Sequence, residues 1–260
     1  MHSSNGDAGL LLLDRSRRAI RLTPAGANFA GLAGRLLEQA GDASRQARQI
    51  ACGDAGEITI SFTAAVSYVF IPRLVSLLRQ EHPAVDLTLR ELTTPQQLVA
   101  LAGRQVDICL LRPPITLPGI RALRVESECL VAAVPQDHPL ARKEIVRLAA
   151  INGEALVTYP PVEGPYFHGT IMGLLQAAGV YPASVQYITQ THAILGLVAA
   201  GIGVALVPQS ARACCPAGVA LRPLAGAEGI QAELFLAWLE QSGNPVSGPV
   251  LRTLQTLSML

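Results

Sequence analysis

The sequence predicts an α/β protein built on two mainly parallel sheets, preceded by a short basic hairpin and one long pairing helix. Three observations carry this reading. Beyond Gly53 the apolar pattern alternates between strand-like and helix-like segments almost to the end of the chain. Between the hairpin and Gly53, apolar residues recur at steps of four and three. In front of both, Arg15, Arg17, Arg18 and Arg21 crowd together in a 260-residue chain whose net charge is only +1.

The hairpin comes first. In LLLDRSRRAIRLTPAG the arginines leave Ala19, Ile20 and Leu22 to pack inward, so the basic side chains are free to grip phosphates, in competition with a plain solvated charge run. Residues 1–50 hold seven Lys and Arg against four Asp and Glu, so the excess positive charge is local to the front. Thr23 and Pro24 then begin a helix, a hydroxyl at the N-cap followed by a proline at N1, where a missing N–H costs nothing. Its apolar positions Phe29, Ala33, Leu36, Ala40, Ala43, Ala47 and Ile50 form a narrow seam that stops at Gly53. So narrow a stripe suits pairing with a second helix better than lying on a globular core.

The body follows. Residues 57–62 (EITISF) alternate as a strand, 71–80 are helical, 85–92 alternate again, 95–102 make a short helix capped by Thr94 and closed by Gly103, and 106–111 are a buried strand. This βαβαβ run predicts a parallel sheet. Strands at 129–134, 155–159, 185–189, 204–207 and 220–224, with helices at 169–178 and 193–200, continue the pattern into a second sheet. A last strand at 233–239 (ELFLAWL) and a helix at 250–257 close the chain. In open α/β sheets ligands bind beyond the carboxyl ends of strands, beside helix N-termini. The turns 63–67, 93–96, 112–114, 160–168 and 190–192 are therefore the candidate crevice.

Composition excludes several classes. Half of the residues are hydrophobic, too many for a disordered tail. Cys52, Cys109, Cys129, Cys214 and Cys215 are odd in number and lack zinc-like spacing, so they read as reduced and mostly buried. No apolar run reaches the roughly 18 residues of a membrane span, and no export signal is visible, so the expectation is a cytoplasmic protein without a membrane partner. Gly201 and Gly203 precede a strand instead of following one, which marks a helix C-cap and a tight turn, not a nucleotide loop. His168 and His192 have no second ligand spaced for a metal and read as polar caps or surface groups. No GxSxG elbow or paired acid and base emerges, so an enzyme is disfavoured.

Taken together, LLDRSRRAIRLTPAG, GEITISF, IPRLVSLLRQEHPAVDL, GRQVDICLL, LVAAVPQDHPLA and ILGLVAAGIGVALVP, in this order and spacing, resemble the LysR-type transcriptional regulators from the wing of their winged helix onward. The segments YPPVEGPYF and TTPQQ are similar to the branch that senses aromatic-degradation intermediates such as benzoate or muconate. The resemblance implies a two-lobed effector domain like that of periplasmic binding proteins, with an inducer in the cleft. Residues 1–9 read as a leader, 10–53 as wing remnant plus linker helix, 57–127 with 229–260 as lobe I, and 128–228 as lobe II. A complete member carries roughly 50 to 60 residues before the wing, including the helix that enters the major groove. On the present sequence, contact with DNA is therefore expected to be weak or non-specific, through Arg15, Arg17, Arg18 and Arg21. Homodimers or homotetramers would form through the linker helix and the effector domains.

The resemblance also points to a site for a small anionic effector, either an aromatic acid or a dicarboxylate, with no resident cofactor and no metal. Ala65 stands where the branch often has a cleft serine, with Ser67 in the same turn. Thr94 keeps a matching hydroxyl, and Arg112 stands where the branch has a basic residue near the cleft. Read from the residues alone, Arg112 could equally bridge a domain edge or clamp a carboxylate. Pro165 and Phe167 fall in the loop that covers the ligand, and one of Tyr166 and Phe167, in that Pro- and Gly-rich stretch, is expected to line the cleft. Gln190 stands where some members carry an acidic residue of a second site, which argues against a second site here. A solute-binding protein of a transporter would share the lobes and the cleft, but the basic front argues against it.

Overall fold

The structure, a computed structural model, describes residues 10–14 and 21–256 and divides the chain into two units, Met1–Cys52 and Gly53–Leu260. In the first unit, β1 (Leu13–Asp14) pairs antiparallel with β2 (Arg21–Leu22), and helix α1 runs Pro24–Cys52. The LTPAG motif joins hairpin to helix. The Thr23 hydroxyl accepts the Gly26 N–H at 2.9 Å and donates to the Leu11 carbonyl at 2.7 Å. A Cβ on Gly26 would lie 1.9 Å from the Leu12 carbonyl oxygen, so only glycine lets the hairpin approach the first turn this closely. At about 1.5 Å per residue the 29-residue helix extends about 43 Å. Phe29, Leu36 and Ile50 of the seam are exposed on the single chain, Leu36 to 66%. Arg21 is exposed on β2, while Arg15, Arg17 and Arg18 lie outside the described residues.

The second unit begins with β3 (Gly56–Phe62), a 3₁₀ turn at Ala64–Val66, α2 (Phe70–Glu81), β4 (Val85–Glu91), α3 (Thr94–Ala102) and β5 (Ile108–Leu111). The three strands are parallel in the order β4-β3-β5. Next come β6 (Ile120–Pro135), β7 (Val146–Arg147), β8 (Ala155–Thr158), α4 (Pro165–Ala177), β9 (Ser184–Tyr187), α5 (Thr191–Ala199) and β10 (Ala205–Pro208). A 3₁₀ turn at Gln209–Cys214, β11 (Val219–Ala225), β12 (Gln231–Leu239) and α6 (Ser247–Thr256) complete it. Among the described residues no helix is long and apolar enough to cross a membrane.

Two sheets were the expectation; the structure joins most of their strands into one and leaves β8 and β9 as a separate parallel pair. The 16-residue β6 pairs with β12 along its first part and with β10 and β11 along its last, so one ribbon runs through both lobes in the order β4-β3-β5-β12-β6-β11-β7. The first part of β6 carries charges that hide its strand pattern. Arg124 pairs with Glu233 at 2.8 Å and Arg121 pairs with Glu240, both across to β12 or the residue after it. Ile58, Ile60, Leu74, Leu110, Leu236 and Val250 form the core of one lobe, and Ala132, Ile151, Val157, Ile171, Leu195 and Leu206 that of the other. The turn before β10 is as the glycines imply. Gly201 takes a φ of +76°, and a Cβ on Gly203 would lie 2.3 Å from the Ala155 carbonyl oxygen.

The cysteines correct an expectation. They are free thiols, but only Cys109 is buried; Cys214 and Cys215 are partly covered, and Cys52 and Cys129 are exposed. Cys129 lies in an apolar stretch, yet side chains alternate along β6, and the buried run there begins only at Leu130.

Candidate functional site

Four chain turns meet where the two lobes face each other, and each brings the start of a helix. The 3₁₀ turn after β3 supplies Thr63, Ala64 and Ala65, α3 supplies Thr93, Thr94 and Gln96, α4 supplies Pro165, Tyr166 and Phe167, and α5 supplies Gln190 and Thr191. They line a partly open cavity of about 170 Å³, together with Glu91, Arg112, Tyr159 and Glu163. An apolar cavity of about 150 Å³ takes a benzene ring, so this space suits one ring or a short chain with its substituents. First-turn N–H groups and the helix dipoles favour a negative charge here.

Arg112 dominates the site. It follows β5 and is only 3% exposed, yet just one of its guanidinium nitrogens is paired: Nη2 donates to Glu128 Oε1 at 3.1 Å. Nε and Nη1 are buried without a partner. The guanidinium carbon stands 4.9 Å from the centre of the Phe167 ring and 6.0 Å from that of Tyr166, which holds the planar group against aromatic faces. A buried cation with unmet donors beside a cavity has the chemistry to receive an anion such as a carboxylate through a charge-assisted hydrogen bond. Glu128 in turn accepts the Ser210 N–H at 2.6 Å and the Ser210 hydroxyl at 3.0 Å, so it remains hydrogen-bonded whatever Arg112 does. Burial, followed by the adjacent Glu128 charge, raises the Glu126 carboxyl above its ordinary value, against the lowering effect of Arg112 and Arg73.

The aromatic wall is packed ring on ring. Tyr159 stacks on Phe167 at 4.7 Å, Phe167 meets Tyr166 edge to face at 5.3 Å, and the Tyr159 hydroxyl shares a 2.8 Å hydrogen bond with Thr191. Burial pushes the Tyr159 phenol well above its usual range, so it stays neutral. The Tyr166 hydroxyl accepts the Glu233 N–H at 2.8 Å and donates to the Gln231 carbonyl at 3.0 Å, tying α4 to the crossover strand β12. His168 Nδ1 lies 3.0 Å from the Tyr159 carbonyl, and His192 is exposed.

The cavity gathers Ala65, Thr94, Arg112, Pro165, Tyr166, Phe167 and Gln190. Ser67 is not among its lining residues; its hydroxyl turns back to the Ala64 carbonyl within the same 3₁₀ turn. Thr94 is not the cap of α3. Thr93 is, with its N–H and hydroxyl both donating to Gln96 Oε1, and that one-residue shift leaves the Thr94 hydroxyl to accept the Arg112 N–H at 3.3 Å. Pro165, Tyr166 and Phe167 do not form a loop either. They are the first turn of α4, because proline suits N1 and Gly164, whose Cβ would sit 3.1 Å from that of Tyr159, lets the chain enter the helix there. Sequence reasoning did not single out Thr63, Glu91, Tyr159 or Glu128. The first three end strands or follow them directly, a positional signal, whereas Glu128 lies within β6 and had none.

Compared with known proteins, residues 52–256 match the LysR substrate binding domain. The chain is 30% identical over 240 residues to the HTH-type transcriptional regulator AlsR of Bacillus subtilis (strain 168), covering 92% of this chain and 79% of the relative. It is 35% identical over 202 residues to the HTH-type transcriptional regulator CatR of Pseudomonas putida, covering 78% and 68%. Among solved structures, CbnR, a LysR family transcriptional regulator, superposes with a TM-score of 0.84 at 26% identity, covering 95% of this chain and 86% of CbnR. The BenM effector binding domain with its effector benzoate gives 0.69 at 26% identity, covering 78% and 92%.

Proposed function

This chain belongs to the LysR-type transcriptional regulators, and from that premise we propose that the ligand to which it responds is a small carboxylate held by Arg112 in the cavity between the lobes. The observation that carries the reading is the pair of buried, unpartnered donors on Arg112, set among four helix starts. BenM, similar over its effector domain, binds the ring acid benzoate. The cavity volume here suits a ligand of that size. Thr63, whose hydroxyl is also buried and unpaired, and Thr94 would complete the anion's contacts, while Tyr159, Tyr166 and Phe167 enclose its apolar part. Ala65 offers no hydroxyl, so Thr63 takes that task.

In this reading 57–127 with 229–260 form one lobe, 128–228 the other, and β6 and β12 connect them. The effector stabilises whichever lobe arrangement lets both walls reach it, and only that difference in affinity can shift the regulator between states. Seam helices pair subunits, Arg15, Arg17, Arg18 and Arg21 meet DNA phosphates, and the protein works in the cytoplasm, where its DNA is. We read it as a binding protein and not an enzyme, in keeping with relatives that are regulators. Titration calorimetry with benzoate against neutral benzamide tests the central claim. Benzoate should bind and benzamide should not at tenfold higher concentration; equal binding of both would remove the anion from the account.

A further inference from the structure

The cavity has a second pole, of opposite character to Arg112. Gln190, which precedes the first turn of α5, donates from Nε2 to Glu91 Oε1 at 3.3 Å, and its own Oε1 is buried without a partner. Both residues line the cavity, as does Glu163. The Glu91 carboxylate thereby fixes which way the amide faces. Turning it over to present NH₂ to the cavity would set the carbonyl oxygen against a carboxylate, two acceptors with no proton between them. Gln190 is therefore held as an acceptor, with the Glu91 carboxylate beside it.

The two poles are well separated. Glu91 and Leu110 both stand opposite Phe62 in the register of the sheet, on either side of β3. The Cα of Arg112, two residues beyond Leu110, is thus two strand spacings across and two residues along from that of Glu91, roughly 12 Å. A ligand whose carboxylate meets Arg112 presents its far end to the Gln190 oxygen. A hydroxyl or amino group there would satisfy an acceptor that otherwise stays unpaired. A second carboxylate would bring acceptor to acceptor and negative charge to negative charge.

We propose that the effector is a small monocarboxylate bearing a hydroxyl or amino donor at the end remote from its carboxylate, selected by Gln190 with Glu91 as the residue that orients it. This rests on the carboxylate reading above and narrows it, setting dicarboxylates aside. Calorimetric titration of the full chain with benzoate, 3-hydroxybenzoate, 4-hydroxybenzoate, 4-aminobenzoate and terephthalate tests it. At least one donor-bearing acid should bind five-fold or more tighter than benzoate, and terephthalate ten-fold or more weaker. In Gln190→Met the ratio of the best donor-bearing acid to benzoate should fall towards one. In Glu91→Gln, which frees the amide to turn, the gap between that acid and terephthalate should narrow. If benzoate binds but no donor improves it, if the preference survives Gln190→Met, or if terephthalate matches benzoate, this inference falls while the carboxylate reading stands. If none of the five acids binds, both fall.

Discussion

Replacing Arg112 with methionine separates a ligand clamp from a structural bridge. Methionine keeps much of the length and can rest on the Phe167 and Tyr166 rings, but it removes the charge and every donor. If the effector carboxylate takes one of the two free donors, Nε or Nη1, a charge-assisted hydrogen bond of about 1.5 to 3 kcal/mol is lost. At about 1.4 kcal/mol per factor of ten, Kd for a bound ring acid rises roughly 10- to 10²-fold. The folded chain suffers less. Breaking a buried ion pair costs about 3 to 5 kcal/mol when the surviving charge is stranded, but Glu128 keeps both of its bonds from Ser210, so the loss should lie below that range. Arg112→Lys retains the charge without the planar fork and should fall between the two. Titration calorimetry supplies Kd, and urea denaturation of the unliganded chain supplies stability. A large fall in the urea midpoint with Kd changed less than threefold would refute the clamp and leave Arg112 as a bridge to Glu128.

Further outcomes follow from the packing. Gly203→Ala puts a Cβ 2.3 Å from the Ala155 carbonyl oxygen, a backbone atom that already accepts the Val204 N–H, and should lower unfolding free energy by about 1 to 3 kcal/mol in urea titrations. Gly173→Ala, on the exposed side of α4 with nothing near its Cβ, should raise it by about 0.5 to 1 kcal/mol, and a loss at both positions would sink the steric argument. Leu36→Glu removes an exposed seam leucine from each of two paired helices, about 1.5 to 3 kcal/mol per chain, so light scattering should show a smaller assembly at micromolar concentration; an unchanged mass would disprove pairing through this seam. Burial pushes the Cys109 thiol up to about 11 from 9.0, so iodoacetamide at pH 8 should spare Cys109 and modify the exposed Cys129. Because the folded state holds this proton more tightly than the unfolded chain, Cys109 favours folding below pH 9 and loses that contribution as pH rises towards about 11. Melting curves of Cys109→Val should therefore fall less steeply over that window than those of the parent chain, and identical slopes would contradict the assignment.

Most of the fold was legible because each element announces itself locally. TPAG starts α1, alternation marks β3 and β4, and the glycines at 201 and 203 shape the turn into β10. The missed stretch failed for the opposite reason: Arg121 and Arg124 on β6 are matched by Glu240 and Glu233, more than a hundred residues later in the chain, and no local pattern can show that the charges are a strand's cross-partners. That strand is also what joins the two sheets, so missing it concealed their continuity. The candidate site divides along the same line. Its segments were visible as turns after strands, since the topology of an open α/β sheet sends them all to one crevice. Its chemistry was not, because it depends on single-residue registers. In TTPQQ either threonine could cap the helix, and only when Thr93 does is the Thr94 hydroxyl available to Arg112. The sequence also left open whether Arg112 bridges or clamps; the structure shows the bridge, Nη2 to Glu128, and leaves Nε and Nη1 without a partner, so the proposed clamp does not compete with it. A guanidinium can do both because its donors point in different directions. The same division of labour recurs at Gln190, whose amide commits its NH₂ to Glu91 and leaves its oxygen unpaired. On the proposed reading a residue on one side of the cavity fixes, at both poles, the orientation of the group offered to the effector, so specificity would be set by pairs of residues, and substitutions should be made and interpreted in those pairs.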